Sequence, residues 1–132
     1  AHRRAGQSEA ALADFTQALK LNPDDPPALL YRSSLLLDMN QPEAAAIDVE
    51  SLLKVDPGSA EGRYNNGLVL QSRGRLAEAK AEFDLAIAGF PRYAEAYANR
   101  GFVEKQLREY PAALADYEKA LEHDPSLAEA LN

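Results

Sequence analysis

Enzymatic chemistry needs side chains that can meet: an imidazole beside a carboxylate or hydroxyl, an activated thiolate, or a glycine loop that cradles phosphate. The 132 residues of this chain supply two histidines, His2 and His123, at opposite ends of the sequence. Each falls near an expected helix end, and an imidazole at the position of His123 suits the C-terminal end of a helix dipole. The acidic pair Asp24-Asp25 stands at an expected helix start, where a carboxylate satisfies free N–H groups. None of the patterns GxxxxGK[ST], GxSxG or HExxH occurs. There is no cysteine, which removes disulfides and thiolate metal sites. No catalytic constellation, cofactor site or metal site is expected, and the chain reads as a non-enzyme.

The composition narrows the partners. Fourteen basic residues against twenty-one acidic ones give a formal net charge of −7, and the arginines and lysines are scattered. Nucleic acid and anionic lipid are therefore poor partners. No apolar run approaches the roughly 18–20 residues that span a bilayer, so membrane insertion is not expected. Abundant alanine and leucine without tryptophan favour closely packed helices over a large aromatic core. Nine arginines to five lysines fit a GC-rich bacterial genome. The compartment is unknown from the sequence, with the cytoplasm as default. The chain does not begin with Met and opens part-way through a repeat, so the expectation is a piece of a longer protein.

The elements that would position any site are set by four prolines. Pro23, Pro57, Pro91 and Pro125 each follow the last by 34 residues, and each closes an Ala/Leu-rich run. Proline stops helices, because it lacks an N–H and its ring clashes with the preceding turn. One supersecondary unit is thus copied along the chain. Apolar residues recur at three- and four-residue intervals in two stretches per unit, broken at Asn40-Gln41, Gly74-Arg75 and Arg108-Glu109. The expected helices are 8–21, 26–39, 42–55, 59–73, 76–89, 93–107, 110–123 and a start at 127, with Ala1–Gly6 as the tail of a missing helix partner. Asp25 and Ser59 are expected caps, and Pro26, Pro42 and Pro111 fall in first turns. Small residues recur at Ala11, Ala45, Ala79 and Ala113, and again at Ala18, Ala86 and Ala120, with Leu52 between. A large one sits midway, at Phe15, Val49, Phe83 and Tyr117. No hairpin so built can bury that face alone, so each leans on the next.

This pattern resembles the tetratricopeptide repeat (TPR), a 34-residue pair of antiparallel helices. With proline at position 32 of the unit, Gly67, Leu70, Ala79, Phe83, Ala86 and Pro91 meet all six favoured positions of the family. Gly101, Ala113, Tyr117, Ala120 and Pro125 match in the next unit, where Glu104 departs from the usual large apolar residue. Ser33, Leu36, Ala45, Val49, Leu52 and Pro57 are the weakest set. The resemblance implies an all-α, right-handed superhelical solenoid in one array. Its divisions are 1–25 (a partial repeat, second helix), 26–59, 60–93, 94–127, and 128–132 as the start of a further helix.

The resemblance also implies where a ligand lies, since first helices of such units line a concave groove. Position by position, the peptide-binding residues carried over are Tyr31, Tyr64, Asn65, Leu68, Glu95, Asn99 and Phe102. Asn65 and Asn99 stand one repeat apart, and an amide can donate to and accept from a peptide backbone. The alternative is a polar residue on a solvated face. Tyr64, Leu68 and Phe102 serve either as exposed pockets or as secondary core. Glu61, Glu95 and Glu129 recur at position 2, either selecting basic ligands or stabilising first turns. With Glu there instead of Lys, and Asn99 instead of Arg, the clamp that similar cochaperones use for acidic chaperone C-termini is incomplete.

The expected function is a protein–protein interaction module that binds an extended peptide or helix of a partner. The alternative is a structural scaffold that self-associates through exposed repeat ends, with Leu12, Phe15 and Leu19 partly uncovered.

Overall fold

The computed structural model describes residues 2–131, and side chains over 6–129. Its helices are α1 (His2–Leu21), α2 (Pro26–Asp38), α3 (Pro42–Val55), α4 (Ala60–Ser72), α5 (Leu76–Gly89), α6 (Ala94–Gln106) and α7 (Tyr110–His123). A 3-10 turn over Pro125–Leu127 leads into the short α8 (Ala128–Leu131). Among the described residues there is no strand, and the fold is an all-α repeat solenoid.

Pro23, Pro57 and Pro91 lie just outside the helices, Pro125 opens the 3-10 turn, and Pro26, Pro42 and Pro111 sit in first turns. The tight turn inside each hairpin needs one left-handed residue. Asn40 (φ 60°), Gly74 (φ 74°) and Arg108 (φ 66°) supply it at 34-residue intervals. The following N–H then reaches back into the helix: Gln41 to Leu36 O at 2.8 Å, Arg75 to Leu70 O at 3.0 Å and Glu109 to Glu104 O at 2.8 Å. These are the bonds by which a left-handed residue closes a helix end.

Two expectations are corrected. Gly6 occupies the same register as Asn40, Gly74 and Arg108, yet α1 runs unbroken through it. Its φ is not left-handed, and a Cβ placed there meets nothing. One glycine inside a helix costs only about 1 kcal/mol, so the hydrogen bonding of α1 continues through it. Asp25 stands at the N-cap of α2 without a side-chain cap bond. Pro27 removes one of the two N–H groups such a cap can use, and the other, of Ala28, is not taken. Ser59 behaves as expected and accepts from Gly62 N at 2.9 Å. His2 and Ala1 lie outside the residues whose side chains are described.

The chain divides into two compact units, one through Gly58 and one from Ser59. In the first, Leu19, Ala28, Leu29 and Leu52 form a buried cluster with Ala18 and Leu30 against it. In the second, Leu70, Ala79, Phe83 and Val103 form the cluster, with Tyr64, Leu68 and Leu76 against it. Close approach within the α4–α5 hairpin depends on Gly67, where a Cβ would lie 2.5 Å from the Phe83 ring. Gly101 repeats the arrangement against Tyr117 in α6–α7, at 3.0 Å.

Candidate functional site

Each hairpin is locked by a polar pair sixteen residues apart, one partner on the first helix and one on the second. In α2–α3, Arg32 Nε donates to Asp48 Oδ2 at 2.7 Å and its Nη2 to Oδ1 at 2.6 Å. In α6–α7, Arg100 grips Asp116 the same way, at 2.7 Å in both bonds, and adds Asp84 on α5 at 2.8 Å. In α4–α5 the pair is Asn66 Nδ2 to Glu82 Oε1, at 2.9 Å. Two parallel bonds to a carboxylate are strong and directional. The hydrogen bond to Asp48 raises the Arg32 pKa, against burial, and Asp116 does the same for Arg100. These pairs hold the first helices in place and make a rigid support for whatever faces outward from them.

In the second unit, α4 and α6 carry most of the expected ligand residues, and their accessibility differs. Asn65 is buried, at 4% exposure, and so presents almost no amide to a ligand. The two asparagines that share a register thus differ in accessibility. Tyr64 and Leu68 are half-buried and pack on the Phe83 cluster, as secondary core. Phe102, one repeat after Leu68, is 46% exposed, and Glu61 and Glu95 are also exposed. Asn99 is half-buried, and its Nδ2 donates to Tyr64 OH at 2.8 Å and to the Glu95 carbonyl at 2.9 Å. Both bonds to the nitrogen set the amide orientation, because a carbonyl can only accept. Tyr31 belongs to the first unit, where it is 55% exposed and its ring lies 5.9 Å from Phe15. In that unit Leu12 and Phe15 are half-buried and so partly uncovered, as expected, whereas Leu19 is buried.

The structure also adds residues that the repeat pattern does not reveal. Tyr93, between α5 and α6, stacks at 5.0 Å from Tyr64, and Phe90 lies 5.5 Å from Tyr93. Burial, then Tyr64, Glu61 and Glu95, push the Tyr93 phenol pKa upward.

A second cluster is internal. Glu104 is 4% exposed, its Oε2 lies 3.4 Å from Lys80 Nζ, and its buried Oε1 faces no donor among the described residues. Burial first, then hydrogen bonding and repulsion from Asp116, raise its carboxyl to about 7. Asp116 stays below its usual range despite burial, because Arg100 holds its charged form. A proton on Glu104 gives the pair a hydrogen bond that two carboxylates cannot make. Lys80, raised chiefly by its 2.8 Å bond to Glu109, closes the network. In the first unit the registers of Lys80 and Glu104 hold Leu12 and Leu36, which line a cleft of about 260 Å³ with Ile47.

No helix among the described residues is long and apolar enough to cross a membrane. No group of His, Asp or Glu there could hold a metal ion.

No curated relative matches this chain. Among solved structures, that of MamA is 26% identical with a TM-score of 0.80, over 97% of this chain and 75% of that one. TTC0263, a thermophilic TPR protein of Thermus thermophilus, is 27% identical with a TM-score of 0.79, over 93% and 69%. YrrB, described as a TPR protein with an unusual peptide-binding site, is 22% identical with a TM-score of 0.76, over 98% and 66%, a likeness of fold alone. Tetratricopeptide repeat profiles match residues 2–61, 32–94 and 94–127. The helical hairpins, their 34-residue register and these matches agree: the chain belongs to the tetratricopeptide repeat family, whose members are in general non-enzymatic scaffolds that bind proteins or peptides.

Proposed function

We propose that this chain is a protein-interaction module whose α4–α6 face holds an extended peptide from a partner protein. The observation that carries the reading is Asn99. Its Nδ2 is committed to Tyr64 and to the Glu95 carbonyl, which leaves Oδ1 oriented as an acceptor for a ligand main-chain N–H. Preorganising that amide lowers the ordering cost of binding. Phe102, half-exposed on the same helix, offers an apolar contact for a ligand side chain. Asn65, being buried, supports the face instead of touching the ligand. Glu61 and Glu95 at the rim disfavour acidic C-terminal tails. The reading assigns no chemistry to the chain beyond recruitment or positioning.

Selection of peptides from a random display library on the immobilised chain tests this, with Asn99→Ala and Asn65→Ala as separate counter-screens. The reading expects a consensus that is lost with Asn99→Ala and kept with a folded Asn65→Ala. A library that enriches nothing on the folded wild type, or a consensus indifferent to Asn99, contradicts it.

A further inference from the structure

Two loop positions depart from what the other repeats place there. Just before the repeat proline stand Asn22, Asp56 and Asp124, but Phe90 in this repeat. Two residues after the proline stand Asp25, Ser59 and Leu127, but Tyr93 here. The polar side chains have local work: Asn22 Oδ1 accepts from Asp24 N at 3.4 Å, Asp124 Oδ1 from Ser126 N at 3.1 Å, and Ser59 caps α4. Tyr93 takes the N-cap position of α6 and makes no cap bond. Phe90 is left 50% exposed. Of the equivalents of Tyr93 only Ser59 makes a cap bond, since Asp25 makes none and Leu127 is apolar. An exposed Phe90 beside a half-buried Tyr93 still departs from the polar residue before the proline in the other repeats, and such a departure is where function is expected.

The two rings extend a chain of aromatic contacts outward from the core. Phe83 is fully buried, and Tyr64 lies 5.7 Å from it. Tyr93 follows at 5.0 Å, tilted by 34°, and Phe90 at 5.5 Å, tilted by 51°. Glu61 and Glu95, exposed in the first turns of α4 and α6, are near enough to act on the Tyr93 phenol. Ring faces attract cations, and carboxylates at the same place add to that attraction. An uncharged side chain would gain from the rings alone, and an anion would be repelled. Arg92, next to Tyr93 in sequence, is exposed.

We propose that Phe90, Tyr93 and Tyr64, with Glu61 and Glu95, form a subsite for a lysine or arginine side chain of the peptide held on the α4–α6 face. The proposal rests on that reading of the face, and the test is chosen to separate the two. The full chain is titrated with N-acetyl-lysine amide, N-acetyl-arginine amide and the uncharged isostere N-acetyl-norleucine amide, following the ring protons of Phe90, Tyr93 and Tyr64 by NMR. Saturable shifts with the two cations, at dissociation constants of about 1–10 mM, are expected. Norleucine, which gains from the rings alone, should bind at least about fivefold more weakly than either cation. Glu61→Gln with Glu95→Gln should weaken cation binding at least about fivefold, and Arg92→Gln should strengthen it. Tyr93→Ser, which restores the residue type of Ser59, should keep the fold and abolish the shifts.

Equal shifts with norleucine, or none with any probe up to about 50 mM, overturn the subsite. In display selection, a consensus dependent on Asn99 but lacking basic residues overturns the subsite and leaves the peptide face standing. Cation binding without any enriched peptide does the reverse.

Discussion

Gly67 and Phe83 show how one residue sets the spacing of a hairpin. With 2.5 Å between a Cβ at 67 and the ring, Gly67→Ala forces a helix or the ring to shift. A cost of about 1–3 kcal/mol is expected from such overpacking. The equivalent registers in the first unit hold Ser33 and Val49, a larger residue facing a smaller one, both buried. Gly67→Ala with Phe83→Val should therefore lose less than the sum of the single changes, by at least about 1 kcal/mol in urea unfolding. Strict additivity would contradict the size exchange. Glu104 makes a second case. Its folded pKa of about 7 stands above the ordinary 4.5, so the stability from its proton is complete below about 4.5 and lost as pH rises through about 7. Asp116, depressed by Arg100, acts oppositely: its contribution is present above its ordinary 3.8 and lost as pH falls below it. The groups that face Glu104 are Lys80, Asp116 and Tyr117, with Arg100 and Glu109 bonded to them. Replacing Lys80 and Glu104 together by leucine, the pair at Leu12 and Leu36, should stabilise the chain at pH 8 by roughly 1–3 kcal/mol and less at pH 5. Lys80→Leu alone should destabilise it at pH 8, because the buried carboxylate loses its cation. Thermal unfolding at the two pH values checks both signs.

The helices are legible in the sequence because their signals are local. Repeat prolines stop them, prolines in first turns start them, and the small–large–small spacing marks the faces that pack. What escapes a sequence reading depends on partners far along the chain. The Arg32–Asp48 and Arg100–Asp116 pairs face each other only once the hairpin folds, and an interval of sixteen residues carries no periodic signature. Asn65 and Asn99 share a register, yet one is buried and the other is not, because burial follows from what packs beside each residue. Phe90 and Tyr93 lie in a loop, where repeat-to-repeat substitution is the signal that could have found them. Helix ends also carry strain that can be tested. Arg108 takes φ 66° at the α6 terminus, where Gly74 stands one repeat earlier. The left-handed region costs a residue with a Cβ about 1–2 kcal/mol, partly offset by the greater unfolded-state freedom of glycine. Arg108→Gly should thus stabilise the chain by roughly 0.5–1 kcal/mol, and Asn40→Gly by less, since asparagine tolerates this region. A loss of stability in Arg108→Gly would show that its side chain holds the turn.

For the whole molecule, a net charge of −7 with Glu61 and Glu95 in the first turns of α4 and α6 would, on the proposed reading, favour basic ligands. Raising salt from about 50 to 500 mM should weaken a basic peptide several-fold, mostly through slower association. The family's open repeat surface suits this use, since nearest-neighbour packing carries stability and leaves first-helix faces to a partner. The most direct measurement is calorimetric titration of one display-selected peptide into the wild-type chain and into Asn99→Ala, with helicity followed by circular dichroism. A loss of tenfold or more, about 1.4 kcal/mol, in a fully helical variant is the result expected if Asn99 holds the ligand main chain. Equal affinity for the two folded proteins would contradict the peptide face on α4 and α6.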